Sequence, residues 1–194
     1  MSSRRDARKN VLLSADFQAA IADIKARLAG KQWALIGGLA AAAHANPPVT
    51  VDIDILMIGD HSQELSDEMR YRMSVPTLKE TPSDALGWGM DRLWFPTSQL
   101  HGLPKRGWQF HHRTEFVAEL DVLITDGDAF LTRAVESAVV VARVPAKVIT
   151  AEDLIITKSL VGRDKDWDDI LDLQRTLEGK LDEAYVERML NELM

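Results

Sequence analysis

The sequence predicts an α/β chain, and three observations predict it. Short apolar runs at Trp33–Ile36, Val51–Ile58 and Phe116–Ile124 read as strands. Segments with helical spacing alternate with them, and from Thr150 onward every segment reads as helix.

Taken in order, residues 1–10 are a polar tail, and Ser14 is placed to N-cap a helix over 15–28. Phe17, Ile21, Ile24 and Leu28 recur on one face of that helix, and Gly30 closes it. Trp33–Ile36 is short, continuous and apolar, as a buried strand is. Gly37-Gly38 separates it from a helix of small residues over Leu39–Ala45. Pro47-Pro48 forbids helix continuation and delivers the chain into the strand Val51–Ile58. Leu65, Met69 and Met73 give 61–73 the spacing of a weak amphipathic helix.

From Val75 to Gly107 prolines, glycines, Trp88 and Trp94 mark an irregular stretch with one or two short strands. Its length is that of a segment covering a binding site. Trp108–His112 and Phe116–Ile124 read as strands, 127–138 as a helix, and 139–144 as a short strand. Thr150 N-caps a helix running to Val161, with an acid, Asp153, at its third position. Gly162 breaks that helix, Asp164 caps the next through Leu177, and Leu181–Leu193 is the last. The organisation is a tail at 1–10, a core at 11–145 and a helical segment at 146–194.

Composition narrows the function class. With 194 residues, 46% hydrophobic and 27% charged, the chain has enough apolar material for a proper core. It holds no cysteine, which excludes disulfides and thiolate metal sites and suits the cytoplasm. No apolar run is long enough to span a bilayer, and the basic start lacks a signal-peptide apolar core. A net charge of −7 argues against broad nucleic-acid binding.

The chemistry is concentrated in Asp52-Ile53-Asp54. In a strand, residues two apart point to the same face, so both carboxylates project together. Beyond Asp54 both faces turn apolar, which places the acids at the sheet's rim, where the strand enters the core. Gly37-Gly38 allows backbone to approach a phosphate, and the following helix offers free N–H groups. Asp121 also precedes a fully apolar run, Val-Leu-Ile, and beside the Asp52 strand it would complete a three-carboxylate cluster. Such a cluster suits Mg²⁺ or Mn²⁺ aligning the phosphates of a nucleotide.

Lys158 shares an apolar helical stripe with Leu154, Ile155 and Val161, so it is either a snorkelling lysine or a phosphate clamp. Asp166 and Asp169 share a face with Ile170 and Leu173, placed to bridge to Arg163 or Lys158 or to touch ligand. His44 and the His111-His112 pair read as packing or surface residues. There is no Gly-Lys-Ser/Thr loop, Gly-x-Ser-x-Gly elbow or His-Glu-x-x-His helix.

Assembled, the stretches Ile36–Ala40, Thr50–Ile55 and Glu119–Leu123 resemble the polymerase-beta-like nucleotidyltransferase superfamily. The tail, Glu152-Asp153-Leu154, Lys158 and Gly162-Arg163-Asp164-Lys165-Asp166 through Asp169, is similar to the branch of abortive-infection (AbiEii-type) toxins and related bacterial proteins. The resemblance implies a nucleotidyltransferase fold: a mixed sheet flanked by helices, with the helical C-terminal segment closing a nucleotide cleft. Asp52 and Asp54 would bind the metals, with Asp121 as third ligand or base. Gly37 and Gly38 would meet the triphosphate, and Lys158 and Asp166 would complete the nucleotide site.

The implied partners are an NTP, an acceptor hydroxyl (RNA 3′ end, protein or small molecule) and a possible cognate antitoxin. Relatives often carry arginine where this chain has Pro48, and Gly-Ser where it has Gly-Gly, which leaves the acceptor open. Rival readings are a sugar-nucleotide glycosyltransferase with its own Asp-x-Asp and a phosphatase, which would want Thr or Val at Leu56. A catalytically inactive nucleotidyltransferase-like binding or regulatory module is the non-enzymatic alternative.

Overall fold

A strand of four residues, β1 (Trp33–Ile36), runs without a loop into an eight-residue helix, α1 being the preceding Ala15–Arg27 and α2 being Gly37–His44. This junction organises the fold. The computed structural model describes residues 15–45, 52–65, 88–94, 107–112, 119–125, 127–142 and 144–194. The expected N-terminal tail, the Ser14 cap, Pro47-Pro48, most of 75–106 and the segment beyond Leu65 in the 61–73 helix lie outside the described residues.

After α2 come β2 (Asp52–Met57), a single turn α3 (Ser62–Leu65), β3 (Trp88–Trp94), β4 (Gly107–His112) and β5 (Glu119–Ile124). Then follow α4 (Ala129–Glu136), β6 (Val139–Val140), β7 (Lys147–Val148), α5 (Ala151–Val161), α6 (Asp164–Thr176) and α7 (Glu183–Leu193). Among the described residues the strands form one seven-stranded sheet in the order β3-β4-β5-β2-β1-β7-β6. Pairing is mixed: β2 runs parallel to β5 and β1 parallel to β7, while the other neighbours are antiparallel.

Side-chain pattern explains the layers. α1 presents Ile21 and Ile24, and Leu28 follows one residue past its end, all fully buried. β2 buries Ile53, Ile55, Leu56 and Met57, so only its first acids interrupt an apolar strand. α2 buries Leu39, Ala40 and Ala41, whose small side chains let the helix lie close against β1 and β2. Each fully buried leucine or isoleucine contributes about 2 kcal/mol. α5 is buried on several sides through Leu154, Ile155 and Ile156, and it carries α6 and α7 into the same core through Ile170, Leu173 and Met189.

Several expectations are adjusted. The glycine pair does not separate strand from helix, because both residues open α2. The apolar stretch after α4 forms two short strands, β6 and β7, where one was expected. Asp164 is the first residue of α6 and not its cap; Arg163 holds that position, and the Asp166 carboxylate accepts from its backbone N–H. Thr150 caps α5 as expected, accepting from the Asp153 N–H, and Gly162 ends it at a φ of 69°.

Candidate active site

β2 is an interior strand, with β1 on one side and β5 on the other, so its acids are not an edge strand's solvated face. Asp52 and Asp54 are half-buried, alternating with the fully buried Ile53 and Ile55. The parallel register sets Asp54 directly beside Asp121 and Asp52 beside Glu119. On the other side, Ile36 pairs with Asp54, which brings the first turn of α2 against the same carboxylate.

That approach depends on Gly37. A Cβ built there would lie 2.0 Å from Asp54 Oδ2 and 2.6 Å from its Cγ, and the residue's φ is 65°. Only glycine satisfies both the space and the backbone. The Asp54 carboxylate thus rests on a helix N-terminus whose first turn has no acidic side chain and no side-chain cap.

Electrostatics give the cluster its character. Burial, then the charges of Asp121 and Asp52, push the Asp54 carboxyl up to about 7, against the opposing pull of Lys165 and Lys158. Asp54 therefore feels the charges of both other aspartates. Among the described residues, however, no group of three or more carboxylates or imidazoles is placed to hold a metal ion. All three donors are carboxylate oxygens, the hard ligands that Mg²⁺ and Mn²⁺ take, and their mutual repulsion is what a cation would relieve. The donor type, and not a ready-made three-ligand geometry, is what suits such an ion.

The C-terminal helices bring a second charged group to this face, since α5 and α6 both pack on α2. Lys158 is buried, its side chain only 6% exposed, and its Nζ lies 3.2 Å from Asp166 Oδ1 and 2.6 Å from Asp169 Oδ2. Arg163 grips the same Asp166 through Nε at 2.7 Å and Nη2 at 3.1 Å. Burial alone would raise the Asp166 carboxyl, but the Arg163 hydrogen bonds and the Lys158 charge hold it below the usual carboxylate range. Asp166 is fully buried. It joins Lys158 to Arg163, the bridging arrangement left open by the sequence.

The seven residues singled out by sequence thus fall into two groups. Gly37, Asp52, Asp54 and Asp121 come together where α2 leaves β1, and Gly38 follows Gly37 in the helix. Lys158 and Asp166 lie at the α5–α6 joint, close enough for Lys158 to act on Asp54. Sequence reasoning did not single out Lys165, an exposed neighbour of that joint whose charge also reaches Asp54. Its signal was the alternation of charge in Arg163-Asp164-Lys165-Asp166 at a helix start.

Nor did it foresee the polar network behind α5. Tyr185 donates to Asp153 Oδ1 at 2.6 Å, Thr150 and Ser137 donate to Oδ2 at 2.8 and 3.2 Å, and Arg133 donates to the Tyr185 hydroxyl. His44, expected to be a packing residue, lies with its Nε2 2.7 Å from the Ile149 carbonyl.

No protein-family model and no curated protein matches the chain. Solved structures do. The antibiotic-resistance factor ANT(2'')-Ia is 14% identical, with a TM-score of 0.51 over 91% of this chain and 90% of that one. An antigenic nucleotidyltransferase-like protein from Paracoccidioides brasiliensis is 16% identical, with a TM-score of 0.46 over 97% of this chain and 87% of that one. The likeness to ANT(2'')-Ia is one of fold, and the mixed sheet flanked by helices expected from the sequence is the architecture observed.

Proposed function

We propose that the chain is a metal-dependent nucleotidyltransferase, moving a nucleoside monophosphate from an NTP to an acceptor hydroxyl. The observation that carries this reading is the abutment of Gly37, Asp54 and Asp121: two carboxylates side by side on parallel strands, one resting on a glycine at a helix start. Asp52 joins them from the same face of β2.

In the reaction, the acceptor oxygen attacks the α-phosphorus and the bond from that phosphorus to the bridging oxygen breaks. Pyrophosphate leaves with the bonding electrons, and the hydroxyl proton passes to a carboxylate, for which Asp121 is the candidate. Asp52, Asp54 and Asp121 would hold Mg²⁺ or Mn²⁺, which aligns phosphates and acidifies the attacking hydroxyl when bound. The chain's own contribution is rigidity: β2 and β5 fix the carboxylates, and Gly37 keeps the approach to Asp54 open. The helices α5 and α6 would form one wall of the nucleotide cleft. The acceptor arms that follow from the sequence are an RNA 3′ end, a protein hydroxyl and a small molecule, with a toxin of the AbiEii type as the biological setting to examine.

The test incubates the protein with each α-labelled NTP, Mg²⁺ and each acceptor class, against an Asp52→Ala/Asp54→Ala double variant. Label transfer and pyrophosphate release, both lost in the variant, are the expected result. Nucleotide binding without transfer to any acceptor would point to the binding module, and no interaction with any NTP would sink the reading.

A further inference from the structure

Only one side of α6 enters the core, through Asp166, Ile170 and Leu173, and next to it Asp169 reaches Lys158. The opposite side carries two rows of residues at four-residue spacing, and on a helix such a row is a continuous ridge. One ridge is apolar: Trp167, 50% exposed, and Leu171, 46% exposed. The other is acidic and is formed by Asp164, Asp168 and Asp172. Among the described residues Asp164 and Asp168 make no hydrogen bond or ion pair, and Asp172 meets Arg175 at 3.9 Å. Lys165 and Arg175 stand at the margins, so the centre of the face is apolar and negative. The exposed surface of the indole and the leucine stays in water unless a partner covers it.

We propose that this face of α6 docks a cationic amphipathic helix of another protein, whatever chemistry the acid cluster performs. Geometry and charge both select that occupant. The groove between two ridges of four-residue spacing takes a ridge of the same spacing on a second helix. Apolar residues one turn apart on the partner would cover Trp167 and Leu171, with the indole as the anchor. Lysines or arginines in the adjacent row would meet Asp164, Asp168 and Asp172, which span about 12 Å along the helix axis. Charge decides against the other occupants. Nucleic acid and anionic lipid carry the same sign as the acidic ridge. A second copy would set acids against acids on a chain whose net charge is already −7.

Fluorescence anisotropy of the full chain with labelled synthetic helices tests this. One peptide carries leucine and lysine in adjacent rows of four-residue spacing, a second has glutamate at every lysine position, and a third is the first in scrambled order. The first is expected to bind, the second not, and the third at least about tenfold more weakly than the first. Trp167→Ser and the double variant Asp164→Asn/Asp168→Asn should each weaken the first peptide about tenfold. Both should melt close to the wild type, because these side chains stand exposed. Failure of the first peptide to bind, equal binding of the scrambled one, or binding unchanged in Trp167→Ser would overturn the proposal. Self-association of the wild type in sedimentation that Trp167→Ser abolishes would give the face to a second copy instead. Binding of an RNA oligomer or of anionic vesicles that the same variant abolishes would count against it equally. None of these outcomes bears on nucleotide transfer.

Discussion

Gly37 and Gly162 both hold left-handed backbone, at φ 65° and 69°, yet alanine has a different consequence at each. At Gly162 an added Cβ would meet Ser159 O at 3.7 Å, an ordinary contact, so the cost is backbone strain alone, about 1 kcal/mol. At Gly37 the same Cβ would enter the Asp54 carboxylate at 2.0 Å. Strain and overpacking then combine to about 2–5 kcal/mol, and Asp54 must rotate away from Asp121. Urea melts of the two variants should therefore differ by more than 1 kcal/mol, and Gly37→Ala should lose transferase activity beyond its loss of stability. Equal melts would mean that Asp54 yields cheaply. The pairing of the glycine with the aspartate was only half legible in the sequence. The Asp-x-Asp alternation and the Gly-Gly pair stood out, but nothing in the order of residues says which carboxylate lies on which glycine.

The C-terminal helices are held by buried charge as much as by apolar packing. Asp166 is fully buried, and its carboxylate is kept ionised by Arg163 and Lys158. A carboxyl whose folded value lies below its unfolded one adds stability above the unfolded value and loses it as pH falls. Asp166→Asn should cost about 3 kcal/mol at pH 7, because Lys158 and Arg163 lose their shared partner. The deficit should shrink as pH falls through 3.8, where the unfolded carboxyl takes up its proton. Melts from pH 7 to pH 3 check this, and a deficit constant with pH would refute the ion-pair account. α7 is fastened in a related way. Tyr185→Phe removes the 2.6 Å hydrogen bond to Asp153 and leaves Arg133 facing it at 3.9 Å, for a loss of about 1–3 kcal/mol. The helices themselves were legible from Thr150, Gly162 and their apolar spacing. Their fastenings were not, since Asp153 reads equally well as a first-turn acid and as the partner of a tyrosine in another helix.

At the scale of the whole molecule, the site exists because two strands far apart in sequence are neighbours in parallel. Local pattern gave β2 and β5 as strands and their acids as rim residues; the pairing of Asp54 with Asp121 is a property of sheet order. That pairing has a measurable consequence. In the folded chain Asp54 holds its proton up to about pH 7, whereas unfolded it releases it near 3.8. Between those values the folded state binds more protons than the unfolded state, so this group makes stability fall as pH rises and adds no further slope above about 7. Thermal melts of the cation-free protein should show that decline, and Asp54→Asn should flatten it. Proton and cation compete for the same oxygen, so the stabilisation by Mg²⁺ or Mn²⁺ should be larger at pH 8 than at pH 6. A decline that persists unchanged in Asp54→Asn would place its origin elsewhere. An absent cation shift at pH 8 would mean that the three aspartates repel one another without serving a metal.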